Sequence, residues 1–205
     1  MKIETYPSRV LRQRCEELCY ETDMDKTFIQ NICKKMDIVI NDFEAIGLAA
    51  NQIGIQQRII AVRPSGIKTT KFMVNPVIVE ADGTMIGDEA CLSFPGVLVK
   101  IKRSAIIIVQ YYSPETNKIE KEELMSQEAI IVQHELNHLD GITLAQSAPR
   151  TLRASVMNQL KIGKRKFTKV LKRQAKLEKL GAQLQKLDDE AGRKLVEQSN
   201  KNTIS

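Results

Sequence analysis

The 205-residue sequence predicts an α+β fold, with antiparallel strands between helices. Runs of branched residues follow one another between 59 and 112 with no helix-length segment separating them, which favours antiparallel pairing over βαβ units. Apolar residues recur at helical spacing before this region, over roughly 8–42, and again over 126–139. Beyond Pro149, a lysine-rich segment over roughly 150–197 predicts a long basic C-terminal helix.

The predicted strands are short and bounded by turn-forming residues. Each is rich in β-branched side chains and lies next to Pro, Gly or Asp-Gly signals. They are Ile59–Val62, Phe72–Val79, Val97–Ile101 and Ala105–Tyr112. The segment Gly87–Gly96, between two of these strands, is predicted to be a loop that can present backbone groups to a ligand.

The helix predicted at 126–139 has signals at both ends. Ser126 is the expected N-cap, and Glu128 lies in the first turn, where a carboxylate interacts favourably with the helix dipole. Gly141 follows the last apolar residue and is the expected C-terminal stop.

Composition excludes several classes of protein. Apolar residues make up 42% and charged residues 27%, which is typical of a globular chain. No apolar run reaches the ~18 residues of a transmembrane helix, and the N-terminal residues lack the pattern of a signal or transit peptide. We therefore expect a cytoplasmic protein. Cysteines 15, 19, 33 and 91 lack disulfide-scaffold spacing and are expected to be reduced, the first three on the N-terminal helix.

The net charge of +6 is unevenly distributed. Residues 1–149 contain 16 Lys and Arg against 20 Asp and Glu, whereas residues 150–205 contain 15 against 5. This division predicts a body over 1–149 and a basic helical extension over 150–205. The extension can be an amphipathic helix packed on the body or a nucleic-acid contact. A membrane-surface helix is disfavoured, because Phe167 is its single bulky aromatic residue.

Both histidines of the chain lie in one pentapeptide, His134-Glu135-Leu136-Asn137-His138. Residues four apart share a helix face, so two imidazoles can bind one metal ion, with Glu135 beside them as a proton acceptor. The alternative is a polar helix face exposed to solvent. The absence of any other histidine favours the metal site.

A catalytic metal site needs a third protein ligand. A downstream carboxylate is one candidate, either Asp140 or a residue from Glu178 onward in the basic extension. A cysteine is the other, and Cys91 in the predicted loop differs from the three cysteines of the N-terminal helix. A buried thiol without metal remains the alternative for Cys91.

Three segments together resemble one family. Ile46-Gly47-Leu48-Ala49-Ala50-Asn51-Gln52, Glu89-Ala90-Cys91-Leu92-Ser93 and Gln133-His134-Glu135-Leu136-Asn137-His138 are similar, in order and separation, to the three motifs of the peptide deformylases. The resemblance covers residues 1 to about 150. Ala45, Ala90 and Asn137 depart from the usual Gly, Gly and Asp.

The resemblance implies roles for the motif residues. Cys91, His134 and His138 would hold one divalent metal ion, with water as a fourth ligand. The antiparallel strands would pack around a central helix that carries the two histidines. In this family the ion is usually Fe²⁺, and zinc, nickel or cobalt can replace it. Glu135 would take a proton from the attacking water and pass it to the departing amine.

The implied substrate is an N-formyl-methionyl nascent peptide, from which formate is released. The Gln52 side-chain amide and the Leu92 backbone N–H would donate hydrogen bonds to the oxyanion. Further candidate substrate-binding residues are Ile46, Ile130 and Ile131 for the methionine side chain and Gly47 for the peptide backbone. Some members of the family dock on the ribosome through a C-terminal helix, so the ribosome is an expected partner of the basic extension.

Two other functions fit parts of the sequence. A zinc endopeptidase would share the His-Glu-x-x-His pattern but needs a third carboxylate ligand, which the sequence offers poorly. A non-enzymatic ribosome- or RNA-binding protein would need a degenerate metal motif, and the motif residues are intact.

Overall fold

The structure, a computed structural model, describes residues 2–166, 168 and 169. Over these residues it is a mixed fold of helices and antiparallel sheet, as predicted. The helices are α1 (Asp23–Phe43), α2 (Ser126–Leu139) and α3 (Leu144–Ser147), with 3-10 turns at Val10–Arg12, Ala50–Ile53 and Arg150–Leu152. The strands are β1 (Gly47–Ala49), β2 (Ile59–Val62), β3 (Lys71–Asp82), β4 (Met85–Cys91), β5 (Phe94–Arg103), β6 (Ile106–Ser113) and β7 (Lys118–Met125).

The strands form two sheets. One has five antiparallel strands in the order β1-β2-β3-β6-β7, and the other is the hairpin of β4 and β5. α2 packs on the five-stranded sheet through a buried cluster that includes Val109, Tyr111 and Val132. Among the described residues, no helix combines the length and apolar character needed to cross a membrane.

The first long helix begins at Asp23, so the prediction of a helix from about residue 8 was wrong in its start. Thr22 forms a capping box: its hydroxyl accepts from the Asp25 N–H at 3.1 Å, and the Asp25 carboxylate accepts from the Thr22 N–H at 3.0 Å. This pairing satisfies two backbone donors that have no partner within the helix, which fixes the helix start there.

The placement of two cysteines on that helix was therefore also wrong. Cys15 lies outside any helix, and its backbone N–H donates to the Leu139 carbonyl at 2.7 Å. Cys19 lies in the irregular segment before Thr22. Cys33 does lie on α1 and is buried. All four cysteines are free thiols, as expected.

α2 has the predicted range but not the predicted N-cap. Met125 occupies the cap position, and Ser126 takes a left-handed conformation with φ 54° and makes no side-chain cap bond. The C-terminal prediction is confirmed: Gly141, with φ 72°, donates to the His138 carbonyl while Ile142 donates to the carbonyl of Asn137. This pair of bonds is a Schellman motif, which favours glycine at the left-handed position.

All four predicted strands are present: β3 and β5 are longer than predicted, β2 has the predicted range, and β6 is shifted by one residue. β1, β4 and β7 were missed. The prediction of a loop over Gly87–Gly96 was wrong, because this segment is the end of β4, a tight turn and the start of β5. The motif around Cys91 is consequently held by a strand ladder.

Residues 153–166 are helical, and we call them the C-terminal helix. Val156 and Leu160 are buried in a cluster with Phe94 and Val97 of β5. This helix therefore packs on the β4–β5 hairpin. Phe167 and the predicted continuation from 170 to 197 lie outside the described residues.

Candidate metal centre

Three potential ligands converge between α2 and the hairpin. His134 and His138 lie one turn apart on α2, with ring centroids 5.0 Å apart. The end of β4 brings the Cys91 Sγ to 3.1 Å from His138 Nε2, and the ligand atoms of the three residues all lie within 4.8 Å of one another. In the part of the chain that the structure describes, this is the one such cluster of metal-ligating side chains.

The geometry does not support Asp140 as the third ligand. Asp140 instead pairs with Arg58, with Oδ1 2.7 Å from Nη1. Glu178 lies outside the described residues. The cysteine alternative is therefore the one that the geometry favours.

The donor set fits a metal ion. Burial raises the pKa of the Cys91 thiol, but the adjacent His138 and His134 outweigh it and hold that pKa well below its ordinary value. The thiolate is the form that binds metal. One sulfur and two imidazole nitrogens suit borderline divalent ions such as zinc and iron.

A buried ion pair orients His134. Its Nδ1 lies 2.7 Å from Glu89 Oε2, and the Glu89 carboxylate accepts from Arg103 Nε at 2.7 Å and Nη2 at 2.9 Å. Burial raises the pKa of Glu89, but the bonds from Arg103 and His134 more than offset it and lower that pKa to about 2. Because Glu89 occupies Nδ1, Nε2 is left for a metal, as is usual for histidine ligands.

Asn137 extends this chain of contacts. In the amide orientation that satisfies its neighbours, Oδ1 accepts from Arg103 Nη1 at 2.7 Å and from the Ser147 hydroxyl at 2.9 Å. Asn137, which stands where the family usually has Asp, is therefore a second hydrogen-bond acceptor for Arg103, and it carries no charge. From the sequence, no role was predicted for Glu89, although it is the first residue of the motif around Cys91, and no local pattern indicated a role for Arg103.

Gln52 is held with its amide nitrogen toward the site. It lies on the 3-10 turn after β1, and its Oε1 accepts from the Ala49 N–H at 2.8 Å. Its Nε2 consequently lies 3.4 Å from Cys91 Sγ and 3.2 Å from Ser93 Oγ. The next residue back, Asn51, donates to the His138 carbonyl at 2.6 Å and joins the turn to the end of α2.

Glu135 is buried beside the ligands. Burial raises the pKa of its carboxyl to about 7, and within the described residues no donor reaches its Oε2. A Cβ at Gly47 would lie 2.5 Å from Glu135 Oε1 and 2.7 Å from Ile131 Cγ2. Gly47 is therefore needed because a larger residue would displace the carboxylate.

A cavity of about 490 Å³ opens in front of these groups. Its walls include nine of the predicted site residues: Ile46, Gly47, Gln52, Cys91, Leu92, Ile130, Ile131, His134 and Glu135. Ile131 is buried and also packs in the core, whereas Ile46 is 41% exposed at the rim. The other wall is formed by hairpin residues Pro95, Gly96 and Val97, which the sequence analysis did not assign to the site.

The two alanine departures are compatible with the backbone. Ala45 and Ala90 are not among the residues with positive φ. The left-handed position is Glu44, with φ 50°, at the end of α1, and Ala90 lies within β4. Neither alanine therefore imposes backbone strain.

Residues 1–153 match the family model described as polypeptide deformylase. The chain belongs to the peptide deformylase family. The peptide deformylase of Thermodesulfovibrio yellowstonii is 33% identical over 147 residues, which cover 70% of this chain and 86% of that protein. The peptide deformylase of Hydrogenovibrio crunogenus is 35% identical over 145 residues, which cover 69% of this chain and 81% of that protein.

Solved peptide deformylase structures have the same fold. The peptide deformylase of Plasmodium falciparum superposes with a TM-score of 0.71 at 28% identity, covering 82% of this chain and 97% of its own. A probable peptide deformylase of Synechococcus phage S-SSM7 superposes with a TM-score of 0.65 at 34% identity, covering 72% of this chain and 99% of its own. The chain is thus an enzyme of the deformylase family, a hydrolase, rather than a zinc endopeptidase or a binding protein without activity.

Proposed function

We propose that this deformylase removes the formyl group from N-formyl-methionine at the start of new polypeptides and releases formate. The observation that carries the proposal is the meeting of Cys91, His134 and His138 next to Glu135, whose buried carboxylate faces a cavity open to a peptide. The reaction depends on one divalent metal ion held by these three ligands.

The protein's acid–base group is Glu135. When bound, the metal ion supplies Lewis-acid activation, which lowers the pKa of water toward neutrality. Glu135 takes the proton of the attacking water and later gives it to the amine that leaves. A carboxyl group buried beside the three ligands is placed to perform both transfers.

The charge that develops on the formyl oxygen is stabilised by hydrogen-bond donors. The fixed amide of Gln52 is one, because Ala49 holds its oxygen and leaves its nitrogen facing the site. The backbone N–H of Leu92, in the turn after Cys91, is the second. A preorganised donor of this kind contributes about 2.7–4 kcal/mol to lowering the barrier.

The cavity accommodates the methionine side chain. Ile46, Ile130 and Ile131 supply apolar walls next to the ligands. Gly47 lies on β1, an edge strand of the five-stranded sheet, where its backbone can pair with an extended peptide. We propose these four residues as the substrate-binding group.

We propose Fe²⁺ as the native ion. The support is the family resemblance, since a site with one cysteine and two histidines also suits zinc, nickel or cobalt. Metal analysis of protein purified without oxygen decides between them. Predominant zinc with full activity would contradict this part of the proposal.

The direct test is formate release. Anaerobically purified protein is expected to release formate from formyl-Met-Ala-Ser and to leave internal peptide bonds intact, while Cys91→Ala loses bound metal. The matched control is Cys19→Ser, an exposed thiol that should leave both metal content and turnover unchanged. Full metal occupancy in Cys91→Ala would exclude Cys91 as a ligand.

We further propose that residues 1–149 form the catalytic domain and that the basic extension over 150–205 binds the ribosome, in the cytoplasm. The support is its charge, 15 Lys and Arg against 5 Asp and Glu, which suits RNA phosphates. Because Val156 and Leu160 are buried against the hairpin, the chain should be shortened after Lys169 and not at Pro149. Sedimentation with ribosomes should then fall in a salt-dependent way while formyl-peptide turnover persists; unchanged sedimentation would contradict the proposal.

A further inference from the structure

The C-terminal helix touches the wall of the reaction cavity. Pro95 and Gly96 of β5 line that cavity on one face. On their other face they contact Gly163 so closely that a Cβ at Gly96 would lie 2.7 Å from the Gly163 Cα. The cavity wall is here a single strand thick, with the C-terminal helix directly behind it.

The contact requires glycine in the helix. A Cβ at Gly163 would overlap the Pro95 carbonyl oxygen and lie 2.9 Å from the Gly96 Cα. These atoms are backbone, so no rotation of a side chain can relieve the overlap. Gly163 is buried, whereas its helix neighbour Lys161 is exposed.

The same helix holds the strand at neighbouring points. Gln159 Oε1 accepts from the Leu98 N–H at 3.1 Å, which satisfies a backbone donor of β5 two residues beyond Gly96. Val156 and Leu160 are buried against Phe94 and Val97. The helix therefore fixes the strand from Phe94 to Leu98 by apolar packing, one hydrogen bond and a direct backbone contact.

We propose that Gly163 is a positioning residue for substrate binding: its contact with Pro95 and Gly96 sets the position of the cavity wall. This deepens the proposed deformylation, on which it rests. Pro95 and Gly96 line the cavity and are not themselves ligands. Their contacts with a bound peptide would act equally on the substrate and the transition state. Disturbing them should therefore raise KM and leave kcat nearly unchanged.

Gly163→Ala in the full-length, metal-loaded enzyme tests this inference. We expect KM for formyl-Met-Ala-Ser to rise about tenfold, with kcat and metal content retained. Hydrogen exchange of the amides of residues 96–98 should become faster, and that measurement does not depend on turnover. Lys161→Ala, on the exposed side of the same helix, should change neither KM nor exchange.

A second control separates positioning from general loss of stability. Val74→Ala creates a cavity in the buried cluster beside α1 and should lower Tm without changing KM. Should Gly163→Ala not fold, Gln159→Leu, which removes the bond to Leu98, is expected to shift KM and exchange in the same direction by a smaller factor.

The inference is overturned if Gly163→Ala folds with KM and exchange at residues 96–98 equal to the starting protein, or if its activity falls only through kcat and lost metal. A starting protein with no formate release would instead refute the proposed function. In that case faster exchange at residues 96–98 would still support the contact between the C-terminal helix and the cavity wall.

Discussion

The two sides of the candidate metal centre lie on different structural elements, the helix α2 and the β4–β5 hairpin. His134, Glu135 and His138 lie on α2, whose apolar face packs on the five-stranded sheet. Cys91 and Glu89 lie on a two-stranded hairpin, which has its own buried cluster with α3 and the C-terminal helix. Local helix geometry fixes the first set, whereas long-range contacts position the second. Changes to Glu135 on α2 should therefore affect chemistry, and changes to the hairpin residues that support Cys91 should affect mainly stability and binding, whereas loss of Cys91 itself should remove the metal.

The largest expected effect is on the α2 side, at Glu135. Glu135→Gln keeps the shape of the side chain and leaves the three ligands intact, but removes the proton acceptor. Turnover should fall by about 10²–10⁴-fold while metal content stays unchanged. Formate release and metal analysis on one preparation measure both.

Glu128→Gln, in the first turn of the same helix, is the matched control and should leave turnover unchanged. If Glu135→Gln kept more than about a tenth of the rate, Glu135 would not be the base.

A smaller loss is expected at Gly47, where β1 meets α2. In Gly47→Ala the new methyl group pushes on the Glu135 carboxylate and on Ile131, so turnover should fall by up to about 10²-fold. Overpacking should also cost about 1–3 kcal/mol in the free energy of unfolding. Kinetics and urea denaturation provide the two values.

Gly66→Ala is the control for the stability part. Gly66 has φ 86° and open space around it, so alanine there is strained by about 1–2 kcal/mol without touching the site. Equal turnover losses in both variants would show that the Gly47 effect is only loss of stability.

On the hairpin side, Arg103→Met tests the buried ion pair. It leaves the Glu89 carboxylate buried without its cation, so the free energy of unfolding should fall by about 3–5 kcal/mol. Lys100→Met, on the same strand, breaks an exposed pair with Asp88 and should cost only about 0–1 kcal/mol. Similar values for the two variants would mean that Arg103 is not a structural support of the site.

The smallest expected effect is a change in the number of cysteines that react quickly with a thiol reagent. Burial raises the pKa of Cys15 to about 11 and that of Cys33 to about 12, so both stay protonated and slow to react at pH 8. In the metal-loaded protein a thiol reagent should modify one cysteine quickly, the exposed Cys19. After treatment with a chelator, Cys91 should become a second fast thiol. One fast thiol under both conditions would speak against Cys91 as a ligand.

The same division explains what sequence alone could predict. α2 and its ligand spacing follow from a local pattern, and the Gly141 stop is a local backbone requirement. The antiparallel class of the sheet could be predicted, because strand runs followed one another without helices. The prediction that Cys91 joins the two histidines depended on the family resemblance. A contact between residues 47 positions apart leaves no periodic pattern in the sequence.

The errors have physical reasons as well. The Thr22-x-x-Asp25 pair is a sequence pattern typical of a helix start and would have predicted the beginning of α1. The helix was instead predicted from about residue 8, because apolar residues recur at helical spacing before Thr22. β7 was missed because it contains mostly Lys and Glu, which are uncommon in strands. Arg103 could not be found, because its role depends on burial next to Glu89 and Asn137.

The two edges of the five-stranded sheet differ in a way that matters for the proposed substrates, which are unfolded chains. β7, at one edge, carries five charged residues between Lys118 and Glu123, and such charges discourage an extended chain from adding to the sheet. β1, at the opposite edge, is three residues long and uncharged. The charged edge therefore disfavours aggregation with the proposed substrate chains, while the uncharged edge next to Glu135 remains available to pair with them.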